Sequence, residues 1–176
     1  MLEEKNKGTG GILNTATKKV AVSGALIALD VLMTRILAIN TPIMKIGLGF
    51  LAVAICGALY GPWWSGACGA LADILGSVIF PTGAYFPGFT VTAALTGVIF
   101  GMLLRPFSKT RALVAAAVNS IFISFLANTY LISYISGSPY GKLLAARAVQ
   151  LAVMLPVQGL VLCAILPIIL KKIKKE

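Results

Sequence analysis

ALVAAAVNSIFISFLANTYLISYI, residues 112–135, runs for 24 residues without one acidic or basic side chain. Coiled as an α-helix at about 1.5 Å per residue it is long enough to cross the roughly 30 Å hydrocarbon core of a bilayer. Its apolar residues form a continuous run and do not alternate, which argues for a helix and against a barrel strand. The rest of the 176-residue chain has the same character: 59% of residues are hydrophobic and 11% charged. Soluble domains average roughly 25% charged residues, so this chain lacks the polar surface to cover a water-soluble globule. Lipid removes the mismatch. The expected fold is all-α: a polytopic membrane protein with six transmembrane helices and no room for a separate soluble catalytic domain.

Outward from that segment, turn signals divide the chain. A first span runs from about residue 18 to 39 and stops at Asn40-Thr41-Pro42. A second, short for a bilayer, covers 46–60 and is broken by Gly61-Pro62. The third begins at Trp63-Trp64 and ends near Phe80, and the loop from Pro81 to Gly88 leads into a fourth that ends at Leu104. After the fifth, Ser136-Gly137-Ser138-Pro139 turns the chain into a sixth span over 142–170. Residues 1–17 are then a polar cytoplasmic tail, 18–170 the membrane domain and 171–176 a basic cytoplasmic tail. The polar start followed by a full-length apolar segment does not read as a cleavable signal.

The formal net charge of +10 invites a nucleic-acid reading, but the basic residues are not interleaved with aromatics on one face. Lys5, Lys7, Lys18 and Lys19 precede the first span, Arg105, Lys109 and Arg111 share one loop, and Lys171, Lys172, Lys174 and Lys175 close the chain. With six spans these eleven of the fifteen cations fall on one side, which the positive-inside rule assigns to the cytoplasm, with both termini. Five or seven spans would destroy the segregation.

Enzyme chemistry finds little to work with. There is no histidine, and Cys56, Cys68 and Cys163 are isolated in apolar segments without metal-ligand spacing. Apart from Glu3, Glu4 and Glu176, the only acidic residues are Asp30 and Asp73. No metal site, cofactor or hydrolase constellation is expected.

An ionised side chain in the bilayer centre costs about 2.5–3.5 kcal/mol on insertion scales, so Asp30, Arg35, Asp73 and Arg147 each need a reason. Arg35 and Arg147 enter their helices from the outer side. Gln150, Met154 and Gln158 follow Arg147 at helical spacing and make a polar stripe facing the bundle interior. Ser120, Ser124 and Asn128 make a weaker one on the fifth helix. Clustered cations suit an anionic solute; the alternative is that an aspartate neutralises an arginine internally. Lys45 starts the second span and has the stem to snorkel to water. Asp73 also has the right chemistry to accept two parallel hydrogen bonds from an amino-pyrimidinone edge. Tyr85, Phe86 and Phe89 around Pro87-Gly88 suggest a lid or stacking wall. A flat heterocycle with a carboxylate tail would use all these groups, and folate is one of that kind, although spacing alone does not select it. Small residues mark close helix approach: Gly66, Gly69 and Gly76 on the third helix, Gly97-x-x-x-Gly101 on the fourth. On the first, Ala21, Gly24, Ala25 and Ala28 share a face open to two readings, internal packing or docking to another membrane subunit.

The run Gly61-Pro62-Trp63-Trp64 through Gly69-Ala70-Leu71-Ala72-Asp73, followed by Pro81-Thr82-Gly83-Ala84-Tyr85-Phe86-Pro87-Gly88-Phe89-Thr90, resembles the folate-specific substrate-binding (S) components of energy-coupling factor (ECF) transporters. Asn128-Thr129, Ala146-Arg147 and Met154-Leu155-Pro156 extend the likeness. The resemblance implies a six-helix subunit in a prokaryotic cell membrane that captures folate from outside and works with a membrane coupling subunit and two cytoplasmic ATPases. It implies docking for Ala21, Gly24, Ala25 and Ala28, and it makes Arg35, Lys45, Asp73, Tyr85, Phe86, Phe89, Asn128, Arg147 and Gln150 the expected ligand site. The chain has no Gly-x-x-x-x-Gly-Lys-[Ser/Thr] loop, so ATP hydrolysis is expected elsewhere. Competing readings are an S component for a thiamine- or riboflavin-type vitamin, and a solitary proton-coupled carrier.

Overall fold

The computed structural model describes the backbone of residues 2–40, 45–81 and 85–173, and the side chains of residues 16–38, 47–81 and 85–171. Among these, six helices follow the expected order. Helix α1 is Leu2–Val31, continued by a π-helical turn, Leu32–Ile36. A small antiparallel ribbon, β1 (Ile39–Asn40) and β2 (Lys45–Ile46), pairs Ile39 with Ile46. Then come α2 (Phe50–Tyr60), α3 (Pro62–Ile79), α4 (Pro87–Leu103), α5 (Lys109–Ser136) and α6 (Tyr140–Ile173). By length and apolarity, α5 and nearly all of α6 suffice to cross a membrane.

Two spans are shorter than the turn signals predict. The first leaves α-geometry at Leu32 instead of running to Ile39. There the Thr34 hydroxyl donates to the carbonyl of Asp30 (2.7 Å), and Gly49 closes against the Thr34 methyl group and the Asp30 carboxylate. Helix α2 starts at Phe50, not Ile46, and its 11 residues reach only about half a bilayer. Every residue from Phe50 to Gly57 is buried, so the helix meets protein all round, and the ribbon replaces its missing turns. Its hydrophobicity on every side is that of a central helix.

Proline and glycine set the other boundaries. Gly61 (φ 89°) makes the left-handed turn between α2 and α3, and Pro62 starts α3 where a missing N–H costs nothing. Extended Phe86 precedes Pro87 at the head of α4 in the same way. Helices α3 and α4 make the most intimate pair, through the glycines that the sequence singles out. A Cβ at Gly97 would overlap the Ser65 carbonyl, one at Gly101 the Pro62 backbone, and one at Gly69 would stand 2.6 Å from the Ala93 carbonyl oxygen. Because backbone atoms are in the way, Gly97→Ala should cost at least the roughly 1–3 kcal/mol of ordinary overpacking. We expect a fall of several degrees in the detergent-solubilised melting temperature; an unchanged melt would refute this packing.

The interior is graded along the bundle. Near the end that carries the chain termini it is apolar, with Phe100, Leu104, Leu162 and Leu166 wholly buried. At the same end α1 is fastened to α3: Trp64 Nε1 donates to Ser23 Oγ (2.7 Å), and the Lys19 ammonium lies 4.0 Å from the Trp64 ring centroid. Towards the opposite end the buried residues become polar.

Candidate solute-binding site

Helix α6 buries one stripe: Leu143, Arg147, Gln150, Met154, Gln158, Leu162 and Leu166. The polar stripe expected from helical spacing is therefore present, and it merges into the apolar core. Gln158 accepts from Ser120 Oγ (2.9 Å) and Asn119 Nδ2 (3.3 Å), and the Asn119 oxygen accepts from Thr96 Oγ1 (2.9 Å). This mid-depth layer ties α4, α5 and α6 together.

On α5 the expected Ser120–Ser124–Asn128 stripe is redistributed. Residues Asn119–Ala127 form a π-helix, whose wider turn breaks the α-helical register, and the buried positions become Asn119, Ser120, Ile123 and Thr129. Asn128 is only half-buried. Its amide oxygen accepts from Thr92 Oγ1 (2.8 Å) on α4.

Closer to the end opposite the termini lies a second polar chain. Arg35, on the π-turn after α1, pairs with Asp73 on α3, Nη2 to Oδ1 at 3.5 Å. The other Asp73 oxygen accepts from Thr90 Oγ1 (2.8 Å), which in turn shares a hydrogen bond with the Tyr85 hydroxyl (2.8 Å). Gly76 leaves the space that the guanidinium occupies; a Cβ there would stand 2.9 Å from Arg35 Nε. Internal neutralisation, the alternative weighed from the sequence, is what the structure has for this pair. A carboxylate offers about four acceptor positions, so two bonds do not exhaust Asp73.

The aromatic group sits beside this chain. Phe86 packs edge-on against Phe89 (centroids 6.4 Å apart) and lies 6.1 Å from Tyr134. Gly88 allows it: a Cβ there would meet Phe86 and Leu131 at 2.6 and 2.8 Å. Thr82, Gly83 and Ala84 of the preceding loop lie outside the described residues, as does the side chain of Lys45.

Arg147 is 4% exposed. Its Nε donates to Gln150 Oε1 (3.1 Å), but its Nη1 has no hydrogen-bond partner among the described residues. An unsatisfied donor on a buried guanidinium is costly, and a ligand acceptor would satisfy it. The structure thus joins Arg35, Asp73 and Tyr85 in one chain and Phe86 with Phe89 in another, while Asn128 is held from α4 and Arg147 pairs with Gln150. Sequence reading gave no role to Thr90, Thr92, Thr96, Asn119 or Tyr134. The three threonines on α4 were the available signal, Thr90 bonding to α3 and Thr92 and Thr96 to α5. Asp30, the remaining intramembrane charge, is buried where α1 meets the start of α2. On α1, Ala21, Gly24, Ala25 and Ala28 are all exposed, and a Cβ on Gly24 would meet nothing within 4 Å.

Comparison with known proteins converges on one family. A family profile described as "ECF-type riboflavin transporter, S component" matches residues 14–175. A folate transporter, FolT, of Clostridium novyi (strain NT) is 38% identical over 139 residues, which is 78% of this chain and 81% of that protein. A FolT of Leuconostoc mesenteroides is 30% identical over 94 residues, 53% of this chain and 50% of that one. A crystal structure of FolT bound with folic acid superposes with a TM-score of 0.79 at 29% identity, covering 84% of this chain and 93% of that one.

Proposed function

The chain belongs to the S components of ECF-type transporters, a family of membrane transport proteins, and from that premise we propose that it is the folate-capturing subunit of such an importer. The observation that carries this reading is Arg147, a buried cation whose Nε is held by Gln150 while its Nη1 has no partner among the described residues. A solute with a carboxylate or carbonyl end completes it. The flat ring system would lie by Tyr85, Phe86 and Phe89, with Asp73 or Asn128 meeting its polar edge. Arg35 and Lys45 are further candidates for the carboxylates, and Gln150 orients Arg147. The identity of the solute draws support from the two relatives named as folate transporters and from the solved structure with folic acid.

Riboflavin is the second reading, because the matching profile carries that vitamin's name. It too is a flat heterocycle, but its tail is a neutral polyol that gives a buried guanidinium no counter-charge. Calorimetric titration of the purified protein with folic acid, pteroic acid, riboflavin and thiamine decides the matter. We expect folic acid to bind tightest, one per chain; tighter binding of riboflavin would sink the folate assignment.

In this proposal the protein lies in a prokaryotic plasma membrane with both termini in the cytoplasm, residues 18–170 forming the membrane domain between a polar tail (1–17) and a basic one (171–176). A membrane coupling subunit and two cytoplasmic ATPases supply the energy. The open face of Ala21, Gly24, Ala25 and Ala28 supports docking of that coupling subunit on α1. Gly24→Leu fills empty space, so it should leave folic acid affinity within about twofold while abolishing ATP-driven uptake by the assembled complex. Normal uptake by this variant would remove α1 from the docking surface.

A further inference from the structure

Thr129 is the one other described residue with a buried side-chain polar atom lacking a partner: it is 0% exposed and its hydroxyl bonds to nothing. This is unusual for a hydroxyl in a helix, which ordinarily bonds a carbonyl one turn back. Ser23, Thr34 and Thr96 do so, to the carbonyls of Lys19, Asp30 and Thr92, and Thr92 does so to Phe89. Thr129 follows the π-helical stretch, where the Asn128 N–H still reaches five residues back to Ile123. A π-turn of this kind shifts the register of side chain and carbonyl relative to an α-helix. The group is thereby kept open in a dry place, at a cost that a valine of the same shape would avoid.

Its position matches that of the other orphan. Thr129 lies seven residues before the end of α5 at Ser136, and Arg147 seven residues after the start of α6 at Tyr140, both counted from the end opposite the termini. At about 1.5 Å per residue the two sit at equal depth, and the last section of α5 packs on α6. We infer that Thr129 is a ligand-contacting, specificity-determining residue, whose hydroxyl bonds a polar atom of the solute enclosed beside Arg147. The inference deepens the binding role proposed above and rests on it.

Thr129→Val and Thr129→Ser, titrated with folic acid and pteroic acid and melted without ligand, test it. The valine variant should bind folic acid about tenfold more weakly and melt at the same or a higher temperature, because an unsatisfied hydroxyl has been removed. The serine variant should bind within about threefold of the wild type. A loss confined to folic acid puts the contact at the glutamate end; an equal loss for pteroic acid puts it on the ring portion. Undiminished binding by the valine variant overturns the inference, and so does a clear drop in its ligand-free melting temperature, which would reveal a structural bond. If the wild type prefers another vitamin, the folate reading falls, and the same variants titrated with that vitamin still decide the role of Thr129.

Discussion

Replacing Arg147 by methionine should weaken folic acid binding about a hundredfold and leave the ligand-free protein as stable as before, or more so. The two halves of this expectation have one cause. A guanidinium that is 4% exposed has given up most of its hydration, and among the described residues its hydrogen bond in return is the one to Gln150. Real proteins charge several kcal/mol for burying an ion, and buried ion pairs replaced by apolar groups of like volume are often neutral or stabilising by about 1–4 kcal/mol. Methionine keeps most of the volume and removes the charge. What is lost on the stability side is one bond and some satisfaction of the Gln150 oxygen, roughly 1–3 kcal/mol at most. On the binding side, removing one partner of a desolvated, hydrogen-bonded charge pair costs about 2–5 kcal/mol, and each 1.4 kcal/mol is tenfold in affinity. Calorimetry and thermal unfolding in one detergent read both halves. Wild-type affinity in the variant would show that Arg147 does not touch the solute. A large fall in its ligand-free melting temperature would show that the cation is structural.

That stripe was legible because α6 keeps regular α-helical geometry around it. Arg147, Gln150 and Gln158 stand out as three interruptions of an apolar run, and a 3.6-residue period suffices to put them on one face with Met154. The same reasoning misplaced the α5 stripe because nothing in ALVAAAVNSIFISFLANTYLISYI announces a nine-residue π-helix. A change of helical period moves every later side chain to a new face, so Thr129 became the buried residue and Ser124 and Asn128 did not. The α3–α4 seam was legible from glycine spacing, since only backbone contact demands bare Cα atoms in both helices. The threonines of α4 were passed over for a physical reason. In a membrane helix a threonine can satisfy itself on its own backbone, as Thr96 does, so its presence alone does not predict a bond to another helix. The single hydroxyl protons of Thr92 and Thr96 each stand within hydrogen-bond distance of both kinds of acceptor, a carbonyl of α4 and an asparagine oxygen of α5. Pairing of Arg35 with Asp73 was weighed from the sequence, but 38 residues separate the two, and only the fold of α1 back over α3 decides between a pair and two independent ligand contacts.

The Arg35–Asp73 pair gives the second large effect, and here the single variants should behave unlike the double one. The side chains are 11% and 19% exposed, so neither charge is fully hydrated and neither is wholly dry. Asp73→Asn leaves the Arg35 guanidinium beside a neutral amide in the space provided by Gly76; Arg35→Gln leaves a carboxylate with Thr90 as its remaining donor. Breaking a buried pair from one side costs about 3–5 kcal/mol, and the residual exposure should bring each single variant to the lower part of that range. Asp73→Asn/Arg35→Gln together leave no unpaired charge and should regain most of the lost stability. Binding should not follow. If Asp73 meets the polar edge of the solute, the double variant melts like the wild type yet binds folic acid at least tenfold more weakly, since an amide replaces only part of what a carboxylate accepts. Double-mutant cycles run separately on melting temperature and on affinity therefore separate the structural role of the pair from the recognition role. Equal recovery of both quantities in the double variant would mean that the pair serves only to hold α1 to α3, and would leave Arg147 and its neighbours to bind the solute without it.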